Sequence, residues 1–260
     1  MPVDRLRARF QFEAMVLDPD LLLRAYSVGV FPMADSRSAE KIFWVEPRRR
    51  AILPLNGFRI SRTLRRTLRS GTFTVTRDRA FGDVVRHCAD RAETWINAEI
   101  ERSYIALHAA GHAHSIEAWH DGELAGGLYG VRLGAAFFGE SMFSLKPDAS
   151  KVALAWLIAR LIVGGYRLLD CQFMTPHLKS LGAIEISQKD YLVLLARALS
   201  AGAPEGADAA AAPGDAFADV VAAPGAEFGA LDRLLAADPA RTVDAPASGC
   251  VIAQLLGQTS

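Results

Sequence analysis

Asp170 and Gln172 stand two residues apart at the end of the apolar run YRLLDCQF. Side chains alternate along a strand, so this spacing expects a carboxylate and a carboxamide on one face. The pair has two readings: a structural Asp170 satisfied by backbone donors, which spacing alone favours, or a pair that orients a nucleophile's proton. Gly139 to Ser144 reads GESMFS, where the glycine permits close approach by a ligand and Glu140 could hold an amine; the plain alternative is a tight turn with a capping serine. Trp44 in FWVEP and Trp95 in ETWIN could each stack on an adenine ring, although filling a core is the commoner use of a tryptophan. His112 and His114 lack a Cys, an Asp or a third His at ligand spacing, so no metal is expected. GxSxG and GxxxxGK[ST] are both missing, which removes motif support from serine hydrolysis and ATP hydrolysis.

A second group of candidates is cationic. Ser61 reads as a helix cap and Gly71 as its stop, and between them Arg62, Arg65, Arg66 and Arg69 fall on one helical face. Four like charges repel one another unless an anion sits opposite; phosphates would supply it, and a solvated surface helix is the bland alternative. The formal net charge of zero hides an asymmetry. Residues 201–260 hold two basic and eight acidic groups, a net of −6, which leaves 27 basic and 21 acidic groups before them, a net of +6. That modest excess suits a polyanionic partner without requiring one.

The elements that must position these residues are those of a mixed α/β chain. With 51% hydrophobic and 22% charged residues there is material for an ordinary core, and wholesale disorder is excluded. The longest apolar run, Val152 to Val163, is about half of the roughly 20 residues that span a bilayer and contains Arg160, so no membrane span is expected. Met1 to Phe12 alternates charged and apolar residues, so no secretory signal is expected either. Three cysteines without CxxC spacing fit a reducing, cytoplasmic setting.

Residues 1–60 read as a small N-terminal lobe, with a helix near Asp20 to Gly29. Residues 61–200 read as the catalytic domain. There HSIEAWH and ELAGGLYGVRL flank Asp121-Gly122 as an antiparallel hairpin, and Ser150 is expected to cap the helix that follows. Next come the strand RLLDCQF, a short helix opened by Thr175-Pro176, the strand AIEI and a helix from Ser187 with Asp190 at N3. Such an order suits an N-acyltransferase (GNAT-like) fold among other α/β layouts. Residues 201–260, rich in Ala, Pro, Gly and Asp, read as a flexible tail in which Phe228 to Ala236 could turn helical and CVIAQLL could pair as a strand or dock.

LLLRAYSVGVFPM, FWVEPRRRAILPL, ISRTLRR, TWIN, LHAAGHAHSIEAW, GGLYGV, FFGESMFS, ASKVAL, DCQ and SLGAIEI follow one another in order. In this series the chain resembles the leucyl/phenylalanyl-tRNA–protein transferases, a bacterial family, over residues 20 to about 195. The resemblance implies a small N-terminal domain and an acyltransferase-fold domain. It implies transfer of leucine or phenylalanine, and less readily methionine, from leucyl-tRNA or phenylalanyl-tRNA and their like to proteins that begin with Arg or Lys, which marks those proteins for degradation. Neither ATP nor a cofactor is implied, since the aminoacyl ester is already activated, and a monomer is expected. By the same resemblance Asp170, Gln172 and Glu140 form the catalytic group, Trp44 and Trp95 line the aminoacyl-adenosine site, and Leu128 and Met142 line the donor side-chain pocket. The arginines from Arg62 to Arg69 become candidates for the acceptor stem. An acetyl-CoA-dependent N-acetyltransferase is the runner-up; ESMFSLKPDASK offers none of the glycines of that class's [QR]xxGx[GA] loop.

Overall fold

The computed structural model describes residues 17–200, 226–237 and 246–257. The first described element is helix α1 (Pro19–Ser27), whose proline sits in the first turn and which breaks at Gly29, φ 81°. Strands β1 (Phe31–Ala34) and β2 (Ile42–Val45) then pair as an antiparallel ribbon. Next is β3 (Arg49–Ile52), within the stretch expected to belong to the N-terminal lobe. It runs instead in the large sheet, between two strands from much later in the chain.

That sheet has seven strands in the order β4-β5-β6-β7-β8-β3-β9. Helix α2 (Arg62–Ser70) leads into β4 (Thr74–Arg77), and α3 (Phe81–Ala89) and α4 (Ala98–Ala109) precede the expected hairpin. Its strands are β5 (Ala113–His120) and β6 (Glu123–Leu133), joined through Asp121 and Gly122 at φ 53° and 81°, the primed turn that fits a right-twisted ribbon. Then come β7 (Ala136–Ser144), α5 (Ala149–Val163), β8 (Leu168–Asp170), α6 (Pro176–Ser180), β9 (Ile184–Ser187) and α7 (Gln188–Leu199). β7 and β8 are parallel, which is why a whole helix, α5, must connect them.

The sheet is covered on both sides, so its central strands, such as β6 and β8, are buried on both faces. Tyr129, Val131 and Leu133 of β6 pack with α1, α3, α4 and α7, whereas Leu128 packs with α2 and α5 on the other side. α5 is buried almost all round, from Val152 to Leu161, and approaches β6 so closely that a Cβ on Gly126 would lie 2.6 Å from that of Ala149. Ser150 does not cap this helix as expected: the N-cap is Asp148, in the left-handed region, and the Ser150 N–H donates to Ser144 Oγ at 3.2 Å. Elsewhere the expected caps are present: Ser61, Thr175 and Ser187 accept from Leu64, Leu178 and Asp190.

The flexible tail expected over 201–260 contains two docked helices among its described residues. α8 (Ala230–Ala236) buries Leu231 and Leu235 behind Phe228, and α9 (Pro246–Leu255) buries Ile252 and Ala253 against the layer of α2 and α5. A few large apolar side chains at helical spacing suffice for this, each worth about 1.5–3 kcal/mol when fully buried. The remainder of that segment lies outside the described residues. Among the described residues no helix is long and apolar enough to cross a membrane.

Candidate active site

A cavity of about 740 Å³ opens between the β1 segment, α3, the β6–β7 pair, α5 and the turn after β8. Glu140 reaches it because β7 carries a bulge. Tyr129 pairs with Ser141 and Gly130 with Gly139, which leaves Glu140 as the extra residue and turns its side chain toward the cavity wall. Its carboxyl meets three donors: the Tyr26 hydroxyl at 2.7 Å on Oε1, the Tyr104 hydroxyl at 2.9 Å on Oε2, and Gln172 Nε2 at 3.4 Å on Oε1. The two tyrosine hydroxyls also touch each other at 2.6 Å. Glu140, Tyr26 and Tyr104 thus close a triangle of hydrogen bonds, to which the tyrosines bring two protons; a third is present only when Glu140 is protonated. Burial pushes the Glu140 carboxyl up to about 7, with the Asp170 charge helping, against the pull of both tyrosines and of Arg50. A carboxyl balanced near neutrality can take or give a proton at the cavity wall.

Asp170 is placed differently. It has no exposed surface and stands behind the cavity wall, where every lone-pair direction is used. Oδ1 accepts from Arg50 Nε at 2.9 Å and from the Gln172 backbone N–H at 2.8 Å; Oδ2 accepts from Arg50 Nη2 at 2.5 Å and from the Tyr191 hydroxyl at 3.0 Å. The alternation expected for Asp170 and Gln172 does not operate, because β8 stops at Asp170 and Gln172 takes a left-handed φ of 53°. That conformation is strained for glutamine and is held from both sides: its N–H binds Asp170, and its C=O accepts from the Ala51 N–H at 3.1 Å. The outcome is a carboxamide turned toward Glu140, not toward Asp170.

Trp95, Leu128, Met142 and Gln172 also line the cavity, and Leu128 pairs directly with Met142 across β6 and β7. Leu154, Leu157 and Leu169 extend this apolar wall. Trp44 does not line it. Trp44 pairs with Pro32 on the ribbon, so the pleat turns it away from the side that Phe31 and Met33 present to the cavity. Arg62, Arg65, Arg66 and Arg69 are exposed on α2 and none lines the cavity; among the described residues none makes an ion pair. Arg65 and Arg69 border a shallow groove against Cys250, Ala253 and Gln254 of α9.

Two family models match consecutive parts of the chain. Residues 15–48 match the leucyl/phenylalanyl-tRNA protein transferase N-terminal domain and residues 52–196 match leucyl/phenylalanyl-tRNA protein transferase. The chain belongs to this family. It is a transferase, and the activity of its class is aminoacyl transfer. A leucyl/phenylalanyl-tRNA–protein transferase of Rhizorhabdus wittichii is 61% identical over 94% of this chain and 99% of its own length. One from Novosphingobium aromaticivorans is 60% identical over 72% of the chain and 73% of its own, and one from Ruegeria pomeroyi 57% over 73% and 90%. The R. wittichii alignment takes in 249 residues, so it extends into the segment after residue 200, which the family models do not reach.

Within this transferase the partners of the candidate carboxylates are residues that motif and spacing pass over: Tyr26, Arg50, Tyr104 and Tyr191. Arg50 left one trace, a charge entering the apolar stretch AIL after two other arginines. Its guanidinium is buried between the rings of Phe31 and Tyr191, 4.8 and 4.4 Å from their centroids. The tyrosines left none, since a tyrosine that serves a site and one that fills a core look alike in sequence.

Proposed function

We propose that this transferase moves leucine or phenylalanine, and less readily methionine, from the 3′ end of an aminoacyl-tRNA to the α-amine of proteins that begin with Arg or Lys, marking them for degradation. The observation that carries the reading is the position of Glu140 and Gln172 side by side on the wall of a cavity that is otherwise lined largely by apolar side chains. Leu128, Met142 and Leu154 offer a branched or aromatic donor side chain a lining of matching character, and Trp95 offers the terminal adenosine a ring to stack on. The amine nitrogen attacks the ester carbonyl, the C–N bond forms, and the bond to the ribose oxygen breaks. The proton that the amine loses passes to Glu140 and the leaving ribose oxygen takes one up, so no external oxidant, nucleotide or coenzyme enters the balance. Gln172, with its Nε2 committed to Glu140, has its carbonyl oxygen to accept from the incoming amine. Asp170 acts through the Gln172 turn and touches neither substrate. Bringing two substrates together supplies much of the remaining acceleration. The exposed arginines of α2 bind the acceptor stem, away from the chemistry.

The test is transfer of labelled phenylalanine or leucine from charged tRNA to model proteins beginning with Arg, Lys or Ala, without ATP or coenzyme A. Transfer confined to Arg and Lys is expected. Equal transfer to Ala would sink the acceptor assignment; no transfer by folded protein, with acetylation from acetyl-CoA instead, would sink the reaction.

A further inference from the structure

Among the described residues Arg50 is the largest side chain with essentially no exposure, 1%, and it joins parts of the chain that are far apart. Its Nη1 donates to the Gly29 carbonyl at 2.8 Å, just past the end of α1; the rings that sandwich it come from β1 and α7; its fork closes on Asp170, 120 residues away. Burying a charge this completely is costly unless its geometry is fully used, and here it is. Burial pulls the guanidinium down, yet the adjacent Asp170 more than offsets that, so Arg50 stays charged across the working pH range.

We propose that Arg50 is a positioning residue for the transfer reaction: by saturating Asp170 it fixes the left-handed Gln172 turn and balances the negative charge that Glu140 faces. The first half follows from the hydrogen bonds. Asp170 Oδ1 can hold the Gln172 N–H only while the fork fixes the carboxylate's rotation, and Gln172 Nε2 meets Glu140 only while that turn is held. The second half follows from what surrounds Glu140. Tyr26 faces it from α1, Tyr104 from α4, Tyr129 from β6, Gln172 and Asp170 from the end of β8, and Arg50 from β3. Of these, Asp170 and Arg50 are the charged groups. They act on Glu140 with opposite sign, Asp170 favouring its protonated form and Arg50 its ionised form.

The inference rests on Glu140 as the proton acceptor of the reaction, and the experiment separates the two. The Glu140 carboxyl is titrated by carbon NMR in the full-length protein, assigned through Glu140→Gln, alongside the pH profile of kcat/KM. Asp170→Asn, which keeps the shape, should lower the Glu140 midpoint by on the order of one pH unit, and Arg50→Met should raise it by a similar amount. The double variant should fall between them. Arg50→Lys keeps the charge but loses the fork, so the midpoint should stay while kcat falls about tenfold or more. A residue that only supports the fold would scale rate and Tm without moving the midpoint. Midpoints that stay in place, or move the same way in Asp170→Asn and Arg50→Met, would overturn the inference. If Arg50→Met does not fold, Asp170→Asn and Arg50→Lys still decide it. Midpoints that move as expected while the rate profile does not follow would uphold the hold of Arg50 on Asp170 and Glu140 and reject Glu140's role in transfer.

Discussion

The wall around Glu140 and the outer layer of α2, α8 and α9 are built in opposite ways. Glu140 gathers Tyr26 and Gln172 from 114 and 32 residues away, and behind it Asp170 gathers Arg50 from 120. The outer layer takes its pattern from neighbours in sequence: an arginine face repeats every three or four residues on one nine-residue helix, and the two tail helices each bury a short apolar stripe, although their docking contacts, such as Asp232 with Arg160 and Arg77, reach 72 and 155 residues. A convergent site makes each group depend on the others, whereas a periodic face divides its effect among equivalent members. Losses should therefore be steep at the wall and graded on the outer layer.

The steepest should come from Glu140→Gln. The amide keeps the shape and the tyrosine neighbours but cannot take a proton, so kcat/KM should fall on the order of 10²–10³-fold, within the range for a missing general base. The same variant carries a signature in stability. The folded carboxyl is raised to about 7 from an ordinary 4.5, so the stability tied to its proton is present at pH 4 and disappears as pH rises through 7. Thermal melts of the parent between pH 5 and 8 should decline more steeply than those of Glu140→Gln. Parallel curves would mean that Glu140 ionises normally and the wall is not the low-dielectric site described.

On the outer layer, replacing Arg62, Arg65, Arg66 and Arg69 together with Gln should weaken tRNA binding by about tenfold or more at low salt. The salt dependence should flatten by up to about 0.9 in log–log slope for each phosphate that is no longer neutralised. Single replacements should each give a fraction of that, and kcat at saturating tRNA should not change. If one arginine alone carried the effect, α2 would resemble the wall more than a graded face. A smaller change, read in the ratio of donors, is expected for Leu128→Ala. The widened pocket should shift preference from leucine toward phenylalanine by about tenfold, since even one methylene in an apolar pocket is worth roughly 1–3 kcal/mol.

The same contrast explains what could be read from the chain itself. The α/β order, the Asp121-Gly122 hairpin, the caps of α2 and α7 and the arginine face depend on residues within a turn of one another, and local chemistry states them openly. Residues at Glu140 and Gln172 could be singled out by type. Their geometry could not, because it comes from a bulge that no residue of GESMF announces and from a left-handed glutamine where alternation expected a strand. β3 lying between β8 and β9 is what brings Arg50 to Asp170, and a strand order with two long-range neighbours has no local signature. Trp44 lies off the cavity for a related reason: FWVEP fixes a strand but not which of its faces meets the cavity. In the tail, alanine, glycine and proline outnumber the few large side chains and give a flexible reading, yet the two pieces that the large side chains single out, Phe228 to Ala236 and CVIAQLL, are the ones that dock, both as helices.

The smallest effect on turnover, and a clear one on stability, is expected where the tail meets the body. Arg160 is buried in α5 at 2% exposure, and Asp232 of α8 binds it at 2.8 and 2.5 Å, with Arg77 on the same carboxylate. Burial would raise the Asp232 carboxyl, but Arg160 and Arg77 hold it below the usual range. A depressed carboxyl contributes stability that is present above its unfolded pKa and disappears as pH falls through the folded one. Asp232→Asn should therefore destabilise the protein by about 1–3 kcal/mol at pH 7, the usual cost of a charged hydrogen bond left half-made, and by progressively less as pH falls below the ordinary carboxylate value of 3.8. Transfer measured well below the melting temperature should match the parent, because no residue of α8 lines the cavity. A variant as stable as the parent but slow in transfer would place α8 in the working part of the molecule and erase the boundary between the convergent wall and the outer layer.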